Sequence, residues 1–136
     1  MREYETIATM REYERFKELV KDIPHASERE KKTLNLFQMT PRYNYAVMFE
    51  NGWGFDIFYG YGSYGYEEGL LELAVIKAAE GNKNNSVRED WYLHYKNPVA
   101  EGDVVGHLTA DEVIKLAKEI ASWTKDQKWE DYEEER

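Results

Sequence analysis

The chain contains no cysteine. Disulfides, thiol nucleophiles and cysteine-ligated zinc are therefore excluded. Proline is scarce, and Pro24, Pro41 and Pro98 read as stops between segments. No apolar stretch reaches the roughly 20 residues needed to span a bilayer. The first residues, Met1 to Glu5, carry acids and no apolar run, unlike a signal peptide. A site inside the cell is expected. Positive charge is also short: 18 Lys and Arg stand against 27 Asp and Glu, a formal net charge of -9. Such a chain repels phosphates, which disfavours direct nucleic-acid binding and anionic membranes. It favours a basic partner protein, although solubility alone also explains acidity.

What remains is enough for one folded domain. The 136 residues are 42% hydrophobic and 15% aromatic, the latter mostly through 11 tyrosines. Tyrosine combines a large apolar ring with a polar tip and suits half-exposed surfaces. The expected fold class is α+β. An antiparallel sheet of about four strands carries helices before it and a C-terminal helix packed on it. Within a single domain over 1–136, residues 1–41 form a helical N-terminal part and 42–107 the sheet. Residues 108–124 form the C-terminal helix and 125–136 an acidic tail.

Along the chain, residues 3–8 suit a short strand or lead-in. Thr9 and Glu12 have capping-box spacing. The helix that follows places Tyr13, Phe16, Leu19, Val20 and Ile23 on one stripe. Ser27 and Glu30 suggest a second capping box, and residues 28–38 are expected as a helix with Leu34 and Phe37 inward. A strand over 33–39 is the alternative. Residues 43–49 are β-branched and aromatic, as in a strand. Asn51-Gly52 predicts a tight hairpin with both turn residues at positive φ. Residues 53–59 then return with Trp53, Phe55, Ile57 and Tyr59 on one face, Asp56 and Phe58 on the other.

Residues 67–82 are ambiguous by pattern: strong helix formers, yet also a plausible strand. Residues 81–89 form a polar, asparagine-rich loop, and 91–96 alternate as a strand. Residues 97–106 read as a connector. Thr109 and Glu112 make a third capping box, opening a helix to about Trp123 with Val113, Leu116, Ala117 and Ile120 on its stripe. In the tail, Trp129 and Tyr132 could extend that stripe.

The stretch that stands out is Gly60 to Tyr66, a run of glycine and tyrosine after a strand. Gly60, Gly62 and Gly65 match the dinucleotide glycine spacing, but the setting is hairpin-like, not strand–helix–strand. From Tyr43 to Ile76 there are five acids and no lysine or arginine, so a phosphate there would lack a side-chain cation. The bland reading is a flexible or bulged connection whose tyrosines pack on the sheet edge. The sharper one is a recognition loop, rigid aromatic area on an adaptable backbone. Its candidate binding residues are Tyr59, Tyr61, Ser63, Tyr64 and Tyr66 with the acids Asp56, Glu67 and Glu68. A flat ligand stacking there is a further option, for which Arg42 and Arg88 are the candidate cations.

No catalytic constellation is present in the sequence. Ser63 lies among glycines without an identifiable base, and no serine sits in a nucleophile elbow. His94, His107, Glu101 and Asp103 lack metal-ligand spacing. His94 reads as an ordinary strand residue, His107 as part of the helix entry and His25 as a turn residue. No metal and no cofactor is expected.

Four blocks resemble small, mostly uncharacterised proteins of bacteriophages and integrated mobile elements. These are Ser63-Tyr64-Gly65, then Glu68-Gly69-Leu70-Leu71-Glu72-Leu73-Ala74-Val75, then Tyr95 with Pro98 and Val99. The last is Asp103-Val104-Val105-Gly106-His107-Leu108-Thr109 with Asp111-Glu112-Val113. Together they span about half the chain. The resemblance implies a strand over 70–76, which decides the ambiguous segment. For function, the resemblance implies a source rather than a reaction. Taken with the acidity, the lack of a catalytic constellation and the tyrosine-rich loop, it leads to the expectation of a non-enzymatic accessory protein in the bacterial host cytoplasm that binds a host protein. That host protein could carry a basic nucleic-acid-binding surface, as in anti-CRISPR-like interference with a defence system. A small-ligand binder for a nucleotide-like signal and a self-assembling structural protein, hence a homo-oligomer, are the alternatives.

Overall fold

A computed structural model describes residues 10–36 and 39–130. Helix α1 (Arg11–Val20) leads into a meander of strands β1 (Ser27–Asn35), β2 (Thr40–Met48), β3 (Trp53–Gly60) and β4 (Leu71–Ala78). A short 3-10 turn, Tyr66–Glu68, lies between β3 and β4. Strands β5 (Trp91–Leu93) and β6 (Val105–Leu108) both pair with β4, β5 near its end and β6 near its start. Helix α2 (Ala110–Ala121) follows. Every pairing is antiparallel. The α+β class therefore holds, with six strands among the described residues rather than about four and one described helix before the sheet.

The alternation of β2, β3 and β4 sorts side chains to two faces. Tyr45, Val47, Phe55, Ile57, Leu73 and Val75 turn towards α1 and α2 and are buried. Helix α1 adds Tyr13, Phe16 and Val20, and α2 adds Val113, Ala117 and Ile120. Full burial of such a side chain contributes about 1.5–3 kcal/mol. The opposite face carries a smaller cluster of Ala46, Met48, Ile76 and Val87, with Trp91 against it. Buried Val87 comes from the asparagine-rich loop, which Asn82 organises. Its amide donates to Ser86 O (2.8 Å) and Asp90 O (3.0 Å).

The expected helix over 28–38 is instead strand β1. Differences in helix propensity among ordinary residues are only tenths of a kcal/mol each. The nine-residue ladder with β2 satisfies the backbone and outweighs them. Ser27 is no helix cap: its hydroxyl donates to Asn85 O (2.7 Å) and accepts from Val87 N (3.0 Å). Glu30 accepts from Tyr13 Oη (3.0 Å) and Lys17 Nζ (3.1 Å), which ties β1 to α1. Burial, and then the Glu30 carboxylate, push the Tyr13 hydroxyl well above the usual phenol range. Leu34 is exposed rather than inward. Phe37, the expected lead-in over 3–8, Thr9 and Tyr132 lie outside the described residues.

Three other expectations are corrected. The β2–β3 turn is longer than two residues: Gly52 N donates to Phe49 O (3.0 Å), and Gly52 alone of the pair has positive φ, 84°. Asn51 spends its side chain at the end of α2. Its amide lies 2.7 Å from Trp123 O and 3.0 Å from Ile120 O, and its Oδ1 accepts from Trp53 N (2.9 Å). Residues 105–108, expected as connector and helix entry, form β6 because β4 has an open edge there. Trp129 does not prolong the helical stripe. The helix ends at Ala121, and the chain returns Trp129 to within 4.6 Å of the Trp123 ring and 5.6 Å of Trp53.

Of the strand expected over 91–96 only Trp91–Leu93 forms, and Pro41 lies inside β2 opposite Leu34 rather than between segments. The segment over 70–76 is β4, and the Thr109–Glu112 capping box is complete. Its neighbour Ala110 N donates to Glu12 Oε1 (2.7 Å), so α1 caps the start of α2. Glu12 thus serves a different helix from its own.

Candidate functional site

The glycine–tyrosine run is a docked loop with few free bonds. It leaves β3 at Gly60, which sits opposite Arg42 on β2. Ser63 closes the first turn: its Oγ donates to Gly60 O (2.8 Å) and accepts from Gly60 N (3.1 Å). The chain then crosses the start of β4. Tyr64 N donates to Glu72 Oε1 (2.9 Å), and Tyr64 O accepts from His107 N (3.1 Å). Tyr64 therefore bridges β4 and β6.

Two glycines make this docking possible. A Cβ on Gly106 would stand 2.3 Å from Tyr64 Cβ, and one on Gly65 would stand 2.9 Å from His107 Cα. Gly65 also has φ 98°, a conformation that side chains disfavour. His107 itself lies at φ 58°, uncommon for a residue with a side chain. Two blocks about forty residues apart, Ser63–Gly65 and Asp103–Leu108, thus meet backbone to backbone.

The eight candidate residues separate into three groups. Tyr61 and Tyr64 project, with 51% and 54% of their surface exposed, and Glu67 and Glu68 are exposed beside them. Tyr59, Ser63 and Tyr66 are framework. Tyr59 is buried and stacked on Tyr13 with ring centroids 5.9 Å apart; Tyr66 meets Tyr59 edge-on at 5.0 Å. Asp56 is elsewhere, on the sheet face turned from the helices. The alternation along β3 already separates Asp56 from Tyr59. The same alternation sets Tyr59 on the strand face of Trp53, Phe55 and Ile57, whereas Tyr61 lies beyond Gly60 in the loop.

The loop encloses a recess of about 320 Å³ lined by residues 61–68 and His107. No lysine or arginine lines it. Glu68 Oε1 lies 3.7 Å from His107 Nε2, a solvent-screened pair. Burial raises the pKa of Glu72 above the usual range; the bond from Tyr64 N opposes that rise and Asp103 adds to it. The recess is acidic and aromatic, unsuited to phosphate. The Gly60-x-Gly62-x-x-Gly65 spacing leads into a three-residue 3-10 turn and an antiparallel strand, without the helix N-terminus a pyrophosphate needs.

No family model, curated protein or solved structure matches this chain.

The other polar candidates are occupied in the structure. The Ser63 hydroxyl is committed to Gly60 on both sides. His94 packs edge-on against Trp53 (4.7 Å), and its Nδ1 lies 3.1 Å from the Asn97 amide. Burial lowers its pKa, helped by Lys77 and Lys96. His94 N donates to Val75 O (2.9 Å), and His107 lies in β6, which pairs with Leu71 and Leu73. Among the described residues no group of three His, Asp or Glu is placed to hold a metal ion. Arg42 stacks its guanidinium over Phe58 (4.9 Å) at the loop's foot, and Arg88 is exposed in the loop between β4 and β5. Gly106, His107 and Glu72 belong to the site, and charge and aromatic content had not marked them.

Proposed function

We propose that the protein is a non-enzymatic accessory protein of the bacteriophage or mobile-element type, which binds a host protein and inhibits or modulates it. The ridge of Tyr61, Tyr64, Glu67 and Glu68 is the contact surface. One observation carries this reading: two half-exposed tyrosines stand on a loop whose backbone is already fixed by Ser63, Glu72, Gly106 and His107. A preorganised loop loses little entropy on binding, and tyrosine is a favoured anchor at interfaces. Two acids beside the rings, with no cation in the recess, suit a basic groove on the partner. A nucleic-acid-binding surface of a defence system, inhibited in an anti-CRISPR-like way, is the concrete form of that partner. Two of the four ridge residues, Tyr64 and Glu68, fall in the blocks that resemble mobile-element proteins, which adds support.

The test is capture from a bacterial host lysate followed by affinity measurement with the recovered protein. Tyr61→Ala plus Tyr64→Ala should weaken binding at least about 100-fold, in line with the loss of two interfacial tyrosines. Glu67→Lys plus Glu68→Lys should weaken it further as salt falls. A partner indifferent to both pairs overturns the reading.

Self-association is a second reading. It is favoured by the β1–β2 hairpin tip, where Leu34, Leu36 and Met39 are 50%, 76% and 68% exposed. Light scattering should show a dimer or larger species that Leu34→Ser plus Leu36→Ser dissolves. A monomer at high concentration counts against it.

A further inference from the structure

The chain has seven asparagines, and Asn51 alone is followed by glycine. The side-chain carbonyl carbon of an asparagine is open to attack by the backbone nitrogen of the next residue. Glycine, which has no Cβ, shields that nitrogen least. The other six asparagines precede Leu36, Tyr45, Lys83, Asn85, Ser86 and Pro98. Each of these carries a side chain, and Pro98 has no N–H to lose.

The fold ties up both reacting groups. Gly52 N donates to Phe49 O (3.0 Å), and Gly52 O accepts from Ala78 N (2.8 Å). The Asn51 carboxamide is held at both ends. Its Nδ2 donates to Trp123 O (2.7 Å) and Ile120 O (3.0 Å), and its Oδ1 accepts from Trp53 N (2.9 Å). Ring closure therefore needs Gly52 N to give up the proton it shares with Phe49 O, and the carboxamide to turn out of its bonds. The segment after α2 keeps those bonds shut. Thr124 O accepts from Trp53 Nε1 (2.9 Å), Lys125 O accepts from Lys77 Nζ, and the Trp129 ring packs 4.6 Å from that of Trp123. Beside this clasp Asn51 and Gly52 line a cavity of about 580 Å³, space enough for water.

We propose that Asn51-Gly52 is a deamidation site gated by the fold, intact while the end of α2 is closed on it and modified when that end opens. Gly52 N bonds to Asn51 Cγ, the Cγ–Nδ2 bond breaks, and ammonia leaves with the proton from Gly52 N. Water then opens the succinimide, and Gly52 N regains a proton. Opening at Cγ yields aspartate, which sets a carboxylate against the carbonyls of Ile120 and Trp123, unfavourable at a helix C-terminus. Opening at the Asn51 backbone carbonyl yields isoaspartate. Its extra backbone methylene lengthens the turn closed by Phe49 N and Trp53 O (2.8 Å) and leaves the helix end uncapped. The step is one-way, so a chain held open too long loses its native clasp for good. The site lies at the end of β3 away from the tyrosine ridge and does not depend on the partner-binding reading.

Incubating the intact protein in mildly alkaline buffer, folded and in urea, with peptide mass spectrometry that separates aspartate from isoaspartate, tests it. In urea Asn51 should convert ahead of the other asparagines, and at least about tenfold faster than in the folded protein. Converted chains should unfold at lower urea than unconverted ones. Trp129→Ala loosens the clasp without touching Asn51 or Gly52. It should speed conversion under native conditions at least about threefold, with circular dichroism verifying that the variant folds. Equal rates in folded and unfolded protein overturn the proposal. So does another asparagine converting first, a converted chain as stable as the parent, or a folded Trp129→Ala variant that converts at the parent's rate.

Discussion

The side-chain amide of Asn51 lies 2.7 Å from the carbonyl of Trp123, 72 positions later in the chain. It also reaches the carbonyls of Ile120 (3.0 Å) and Ala121 (3.3 Å), so two N–H groups serve three acceptors. The tip of the β2–β3 hairpin is thereby the cap of the last helix. Helix ends leave carbonyls without partners, and a side chain from another element satisfies them here.

Asn51→Ala should therefore destabilise the protein by roughly 2–3 kcal/mol, since buried carbonyls lose their donors and Trp53 N loses its acceptor. Asn51→Asp keeps an acceptor for Trp53 N but sets a negative charge at a helix C-terminus. It should cost at least as much. Urea denaturation of both variants checks the pair. An Asp variant more stable than the Ala variant contradicts the capping role.

Gly106→Ala tests how the tyrosine loop is held. The added methyl would meet Tyr64 Cβ, and relieving that overlap should cost roughly 1–3 kcal/mol. Tyr64 should move, and partner binding should fall although Gly106 itself lies beneath the ridge. Chemical-shift changes centred on residues 63–66 are the expected signature.

Tyr61→Ala plus Tyr64→Ala should leave stability within about 0.5 kcal/mol of the parent, because neither ring is part of the core. Thermal melts of the double variant check this. Tyr59→Ala should behave in the opposite way, costing about 3 kcal/mol or more as a buried aromatic of the core. The contrast separates ridge from framework within one short run.

Asp56 makes stability depend on pH. Burial is the main cause of its raised pKa, about 6 against 3.8 for an ordinary Asp; Asn44, Arg29 and Lys31 pull it down and Glu72 adds a small rise. The folded state thus binds this proton more tightly than the unfolded chain does. The associated stability is complete below about pH 4 and is lost as pH rises through about 6, an effect on the order of 3 kcal/mol. Asp56→Asn should accordingly be more stable than the parent at pH 7.5, with the gain vanishing by pH 4. Paired denaturation curves at the two pH values decide it.

Much of the framework was legible in the sequence because local and long-range preferences agreed there. Trp53, Phe55, Ile57 and Tyr59 alternate, and Thr109 with Glu112 announces α2. The segment at Leu71–Ala78 was not legible from periodicity, and its helix formers give way to a place inside the sheet. Strand β1 was misread because Glu28, Arg29, Glu30, Lys31 and Lys32 fit a solvated helix equally well. Its pairing with β2, and the reach of Tyr13 and Lys17 to Glu30, are tertiary facts. At the site, aromatic content found the loop but not its support. Glycines beneath a tyrosine look the same in sequence as glycines in a hinge.

Glu12, made early, caps the amide of Ala110, made 98 residues later. During synthesis the β1–β4 meander can zip from one hairpin to the next as each leaves the ribosome. The apolar face of Val47, Phe55, Ile57, Leu73 and Val75 then awaits α2, which closes over it only after Ala121 emerges. The nascent chain is stickiest in the interval after β4 has emerged and before α2 has. A product truncated after Leu93 would present a half-covered sheet and become a client for chaperones and proteases.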